Sequence, residues 1–403
     1  MIPGKNILVL SDAIGAPSYA PRVRSVCRYL TDRGYHVHVV SEQMEELPFS
    51  TSYPLTQVPI YSGSGWRRRW RWALINIGTL LFEYKDRYFS HRLEQIVGTQ
   101  HFDLVFCSTF HTFPLRSAVI FARKRHIPVV LDLRDIMEQA PQNTSAYLAH
   151  QLKHGAWLTQ LFLKIQVRRR NHWLRQANAV TTVSPWHQQI LLPLNPNTHL
   201  IYNGFDEQTF QPLNQHSSEF ILSYTGRLYP YPMQDCEPLF EALASLNIPY
   251  RLIIHTQEQG IQRCQQLVDK YQLSDHVSIG GYVSLQETMD IYRQSSIILA
   301  FSNSSQQNNV HGMMTTKFFE ALGVEKPLLL VRSDEECLAQ TMAYTHAGLA
   351  ATSVEEIKQF ILDRYHEWQT KGFTRQAVQH KAEFTRQYQA QQFEQIFLSL
   401  CQK

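Results

Sequence analysis

The chain has 403 residues, 44% hydrophobic and 18% charged. That balance excludes disordered, collagen-like and disulfide-dense classes, and at about 150 residues per domain it predicts two or three domains. The formal net charge of +4 conceals an asymmetry: residues 1–210 carry 23 Lys and Arg against 14 Asp and Glu, while residues 211–403 carry 15 against 20. A basic half suits anionic lipid, nucleic acid or an anionic acceptor.

In chain order, the apolar run 6–10 reads as a first strand and not as a signal peptide. A helix is predicted over 18–33, closed by Gly34, then a strand over 37–40. Strands over 104–107 and 128–131 flank a helix over 115–125. A long periodic segment spans 155–177, and strands over 179–183 and 199–201 close the first half. The pattern restarts with strands over 220–224, 251–254, 277–279, 297–300 and 327–331. Between them lie helices over 238–246, 259–271, 285–294 and 317–322. Alternating strands and helices predict parallel, doubly wound α/β sheets: two facing Rossmann-like domains with a ligand cleft between them. The polar, Pro-containing stretch 210–215 marks the join. The expected domains are therefore 1–210 and 211–378, with a Gln-rich helix over 377–400 taking residues 379–403 back to the first domain. Six scattered cysteines without a C-x-x-C pair point to a reducing cytoplasm.

Two local features call for chemistry. The segment Trp66-Arg67-Arg68-Arg69-Trp70-Arg71-Trp72 puts four Arg and three Trp in seven residues, ahead of the apolar run 73–82. That run is too short to span a bilayer. As a helix it would lie on an anionic membrane surface, since Trp favours the headgroup level and Arg attracts anionic lipid. No nucleic-acid motif accompanies it. The second feature is a set of strand ends. The first strand runs into Ser11-Asp12-Ala13-Ile14-Gly15-Ala16, where a small residue lets backbone approach a ligand; Arg22 follows on the next helix. In the second half, Thr225-Gly226-Arg227-Leu228 places an Arg after a strand, suited to bidentate phosphate binding. A Gly-containing loop from His311 and Gly312 opens the helix that carries Thr316, Lys317 and Glu320. Lys317 and Glu320 share a face; they could serve a diphosphate and a ribose, or simply pair with each other.

Together these strings resemble family 4 of the GT-B glycosyltransferases, a retaining, nucleotide-sugar-dependent group. The strings are D-A-I-G-A-P-S, F-D-L-V-F-C-S-T-F-H, P-V-V-L-D-L-R-D, I-Y-N-G-F-D, T-G-R-L, I-G-G-Y-V-S and T-K-F-F-E-A-L-G, in order over nearly the whole chain. The resemblance implies a donor site of Gly15, Ala16, Arg227, Tyr282, Val283, His311, Gly312, Met313, Thr316, Lys317 and Glu320. Arg227 would meet the diphosphate, Glu320 the ribose, and the turn at Tyr282 and Val283 the nucleobase. His111 would approach the donor sugar, and Arg22, Arg134 and Asp135 would stand on the acceptor side. Two positions depart from the family: Gly312 replaces a Glu and Met233 a Lys.

The expected activity is transfer of a sugar from a nucleoside-diphosphate sugar, uridine- or guanosine-based, to a hydroxyl acceptor. The acceptor is expected to be a lipid-linked or surface glycan and the stereochemistry retaining. The protein is expected to be bacterial and to work in polysaccharide biosynthesis at the inner face of the cell membrane. Arg227 and Lys317 would steady the leaving diphosphate. His111 or Asp135 would be needed as base only for inversion. The chain has no D-x-D pair, so no metal and no cofactor are expected, and nucleic acid is not an expected partner. A nucleotide-sugar 2-epimerase and an inactive scaffold are the alternatives.

Overall fold

The computed structural model describes residues 4–13, 21–43, 51–61, 65–138, 156–229, 234–301, 311–331 and 336–402. The chain divides into two compact units, Met1–Tyr202 with Arg386–Lys403, and Asn203–Thr385.

Unit 1 is built on strands β1 (Asn6–Ala13), β2 (His36–Glu42), β3 (Leu55–Val58), β4 (Leu104–Thr109), β5 (Val129–Leu133), β6 (Ala179–Thr182) and β7 (Thr198–Leu200). They form one sheet in the order β3-β2-β1-β4-β5-β6-β7, with every pair parallel. β4 and β5 are buried at each position, as befits unbroken apolar runs covered on both faces. The helices are α1 (Pro21–Asp32), α2 (Gly65–Phe82), α3 (Tyr84–Val97), α4 (Leu115–Arg125), α5 (Ala156–Leu174) and α6 (Pro185–Leu191). Phe89, Leu93, Val119 and Ala122 of α3 and α4 pack one face of the sheet. Val23, Val26, Cys27 and Leu30 of α1 pack the other.

Unit 2 repeats the plan. Strands β8 (Ile221–Thr225), β9 (Arg251–His255), β10 (Val277–Gly280), β11 (Ile297–Phe301), β12 (Leu328–Val331) and β13 (Gly348–Ala350) run in the order β10-β9-β8-β11-β12-β13, again all parallel. Helices α7 (Glu237–Ala244), α8 (Glu258–Tyr271), α9 (Leu285–Gln294), α10 (Thr316–Val324), α11 (Glu336–Thr345) and α12 (Val354–Lys371) alternate with them. α9 opens on a capping box: Ser284 Oγ accepts from the Glu287 N–H and the Glu287 carboxylate accepts from the Ser284 N–H.

The last helix, α13 (Arg386–Cys401), belongs to unit 1. Its Phe393 and Phe397 rings lie 5.1 and 5.3 Å from that of Phe106. Its Glu394 accepts from the Tyr29 and Tyr35 hydroxyls at 2.8 and 3.0 Å.

The divisions fall at 202/203 and 385/386, not at 210/211 and 378/379, and the reason is packing. Phe205 and Phe210 press on Gly323, where a Cβ would come within 2.8 and 2.7 Å of their side chains. The expected helix over 377–400 is shorter at its start, because a 3₁₀ turn (Lys381–Phe384) is held to unit 2. There Lys381 Nζ donates to the Gly323 carbonyl at 2.8 Å and pairs with Glu325 at 3.0 Å. All six cysteines are free thiols, and among the described residues no helix is long and apolar enough to cross a membrane.

Candidate functional site

In sheets of this order the chain reverses direction of winding between the first and fourth strands, and ligands gather beyond the carboxyl ends there. In unit 1 that place is the end of β1 and β4; in unit 2 it is the end of β8 and β11.

At the unit 1 switch point Asp12 is the hub. One of its oxygens accepts from the Phe110 N–H at 2.9 Å and from Thr109 Oγ1 at 3.3 Å. The other pairs with the Arg134 guanidinium. Arg134 is 5% exposed, with its guanidinium carbon 3.9 Å from the centre of the Phe110 ring. Its Nε and Nη1 are buried and have no hydrogen-bond partner among the described residues, an uncommon state for a buried polar group and costly unless something meets it. The His111 ring is accessible but crowded by protein. That desolvation, opposed by the Asp12 carboxylate and reinforced by the Arg134 cation, holds the imidazole below its usual value and so neutral at pH 7. Burial pushes the next carboxyl, Asp135, up to about 7, against the pull of Arg134 and with the help of Asp12. His111, Arg134 and Asp135 therefore share one end of one sheet, as the sequence suggested. Asp12, which organises them, was legible only as a carboxylate at the end of the first strand.

Arg22 is a correction. It does not face an acceptor: it is buried, its Nη2 lies 2.9 Å from the equally buried Asp132, and its Nη1 donates to the Ile201 and Tyr202 carbonyls at 2.8 and 2.6 Å. Asp132 also accepts from Ser108 and Thr181 hydroxyls, each at 2.7 Å. The pair ties α1 to three strands and lies inside unit 1. Gly15 and Ala16 lie outside the described residues, as does Met233.

In unit 2, α10 begins at the switch point with Thr315 as N-cap, its Oγ1 accepting from the Lys317 N–H. Lys317 Nζ lies 2.5 Å from Glu320 Oε2 and 3.3 Å from the Tyr292 hydroxyl. Tyr292 in turn donates to Glu320 at 2.6 Å. The ion pair read from the spacing is thus present, and buried Tyr292 turns it into a three-membered network. Lys317 crosses Gly226 closely: a Cβ at 226 would stand 3.3 Å from Lys317 Cε and 3.4 Å from the Tyr224 hydroxyl. Arg227 is exposed beyond β8, its guanidinium carbon 5.8 Å from the centre of the Tyr229 ring, and the neighbouring Tyr282 and Tyr229 raise its pKa and favour its charged form.

A cavity of about 210 Å³ lies beside Arg227 and Lys317, lined also by Gly226, Gln234, Met313 and Thr316 among others; Glu320, Tyr292 and Tyr282 do not line it. Small-molecule pockets begin near roughly 300 Å³, so this one has room for the charged part of a ligand and not for a whole nucleotide-sugar. Two cations and the first turn of a helix face it, an arrangement that fits an anion. His311 is half-buried and Gly312 buried with φ +63° in the loop leading to α10. Tyr282 is 64% exposed and Val283 follows it. Sequence reasoning missed Tyr292 and Gln234. Neither lies in a motif; Gln234 reaches the cavity because it accepts from the Tyr229 N–H and donates to the Phe301 carbonyl.

Residues 21–209 match the sequence model described as Glycosyltransferase Family 4. No curated protein sequence matches the chain. Among solved structures it is similar to sucrose-phosphate synthase from Thermosynechococcus elongatus, at 15% identity over 98% of this chain and 99% of the other, with TM-score 0.64. It is also similar to Anabaena HepE in complex with UDP-glucose, at 16% identity over 98% and 100%, TM-score 0.63. UDP-GlcNAc 2-epimerase from Neisseria meningitidis, bound to UDP-GlcNAc, follows at 11% identity over 98% and 100%, TM-score 0.56. The chain therefore has the GT-B fold, two Rossmann-like α/β units, and the Glycosyltransferase Family 4 model matches its residues 21–209.

Proposed function

We propose that the protein transfers a sugar from a uridine-diphosphate sugar to a hydroxyl of a glycan acceptor, with retention and without a metal. The observation that carries this reading is the cationic cavity of unit 2, where Arg227 and Lys317 face one space at a strand–helix switch point. Arg227 takes the diphosphate, and Lys317 with the α10 amides completes the anion site. Glu320 accepts from the ribose hydroxyls, exchanging part of its contact with Lys317 and Tyr292. Tyr282 and Val283 stand by the base. Uridine is chosen because HepE and the epimerase are both described with uridine nucleotides.

In the reaction the bond from the anomeric carbon to the β-phosphate oxygen breaks, and the acceptor oxygen bonds that carbon from the same side. The acceptor proton passes to the departing phosphate oxygen. Charge grows on the diphosphate in the transition state, so cations fixed beforehand lower the barrier. In unit 1, neutral His111 serves as a hydrogen-bonding group for a sugar hydroxyl, while Arg134 and Asp135 position a polar acceptor, which is a lipid-linked or surface glycan.

The test is product analysis. The full chain is incubated with a panel of UDP- and GDP-sugars, with and without lipid-linked glycan acceptors. Glycosylated acceptor plus UDP supports the proposal. The likeness to the epimerase favours a second reading; interconversion of the nucleotide-sugar without acceptor would establish that reading instead.

A further inference from the structure

The exposed apolar side chains of unit 1 are concentrated on one helix. On α2, Trp66, Trp70, Leu74, Ile77 and Leu81 are between 50% and 68% exposed. At about 100° per residue these five positions fall within an arc of roughly 80° and extend over about 22 Å. That is the width and spacing of a helix face made to be buried, yet it is turned outward. The opposite side does the packing: Ile75 joins the core, and Asn76 accepts from the Tyr61 hydroxyl at 3.4 Å. Trp72 is half-buried and stands off the stripe, so the expected seven-residue contact is replaced by a longer and narrower one.

The charge on α2 is as one-sided. Its eighteen residues contain Arg67, Arg68, Arg69 and Arg71 and no acidic residue. By helix geometry, positions 67 and 69 fall on either flank of the stripe. The far end is tied down: Arg169 of α5 donates to the Thr79 and Leu81 carbonyls at 2.9 and 3.0 Å, and Arg87 donates to the Phe82 carbonyl at 2.8 Å. The helix is therefore formed and capped before it meets anything, and binding need not pay to order it. α5 adds exposed Leu161, Lys164 and Arg168 on one face of its own.

We propose that α2 is an interfacial anchor that lies flat on an anionic lipid bilayer, its stripe from Trp66 to Leu81 sunk to the headgroup–acyl boundary and its net positive charge drawn to the anionic headgroups. The chemistry selects this occupant. Tryptophan and arginine together favour the headgroup level, and an amphipathic helix with a basic polar side binds in the plane of the membrane. Nucleic acid has use for Arg and Trp but none for Leu74, Ile77 and Leu81. The α2 of a second copy offers no acidic residue to the four arginines.

The experiment is co-sedimentation of the full chain with vesicles of phosphatidylcholine alone and of phosphatidylcholine with about 30% phosphatidylglycerol, paired with sedimentation velocity without lipid. Binding is expected only to the anionic vesicles, weakening as salt rises. Trp66→Ala with Trp70→Ala should lower the partition coefficient on the order of a hundred-fold, with an unchanged melting temperature because both side chains are exposed. Leu74→Glu with Ile77→Glu should abolish binding, and bromine-labelled acyl chains should quench the tryptophan emission of the unmodified chain. Vesicle binding unaltered in both variants, or no binding by the unmodified chain, would overturn the proposal. So would a concentration-dependent dimer that both variants dissociate, which would give the stripe to a second copy. None of these readouts depends on catalytic turnover.

Discussion

Replacing Asp132 with Asn decides whether Arg22 belongs to the framework of unit 1 or to a substrate. Asp132 is fully buried and Arg22 is 3% exposed. The substitution keeps the shape and the hydroxyl contacts but leaves the guanidinium charge buried with no counter-charge. Breaking a buried pair from one side costs about 3–5 kcal/mol. For a unit of this size each kcal/mol moves the midpoint by about 2–4 °C, so unit 1 should melt about 10 °C lower. Arg22→Met should cost a comparable amount by stranding the carboxylate. The double variant Arg22→Met, Asp132→Asn should recover part of the loss, though not all, because the Ile201 and Tyr202 carbonyls lose their donor. A double-mutant cycle by urea unfolding, followed by circular dichroism, should give a coupling of at least about 2 kcal/mol. Single losses below about 1 kcal/mol, or an additive cycle, would refute the placement and free Arg22 for an acceptor role.

Three further outcomes follow from particular contacts. Glu320→Gln keeps the side-chain volume but removes the charge that Lys317 and Tyr292 share, and should weaken binding of the nucleoside diphosphate by about ten- to a hundred-fold in calorimetry, the worth of a charge-assisted hydrogen bond. Asp135→Asn should leave kcat within about ten-fold while raising the acceptor KM; a fall of a thousand-fold or more would make Asp135 the general base and the reaction inverting. Burial, aided by the neighbouring Glu83, pushes the Asp86 carboxyl up to about 7, against the Ser117 N–H that donates to it. Between about pH 4 and 7 the unfolded chain has released this proton and the folded chain has not, so stability contributed here falls as pH rises across that window. Asp86→Asn should therefore gain stability relative to the unmodified chain at pH 8 and much less at pH 5, read from urea midpoints.

The fold was legible where the physics is local. Runs such as those at β4 and β5 can only be strands buried on both faces, and the α4 limits 115–125 were read to the residue because its apolar period is regular. The edges were not. β3 and β13 are short, and α12 hides its core positions Ile357, Ile361 and Tyr365 among fifteen other residues of mainly polar type. The divisions between units were displaced because Phe205, Phe210 and Lys381 are assigned by what they touch across long sequence separations, which no local pattern encodes. The same contrast holds at the site. Lys317 and Glu320 meet because they are three apart on a helix, and the spacing says so. Arg22 was misjudged because its partner is 110 positions away, and Tyr292 and Asp12 were overlooked because their partners come from other elements.

The account rests on a nucleoside-diphosphate group held by unit 2, and titration of UDP and of UDP-glucose into the full chain by calorimetry addresses that directly. Both should bind at one site, and Arg227→Ala should lower the affinity by about 2 kcal/mol, roughly thirty-fold, as expected for a charge-assisted contact to phosphate. Equal affinity in the Arg227→Ala variant, or no heat from either nucleotide, would contradict it.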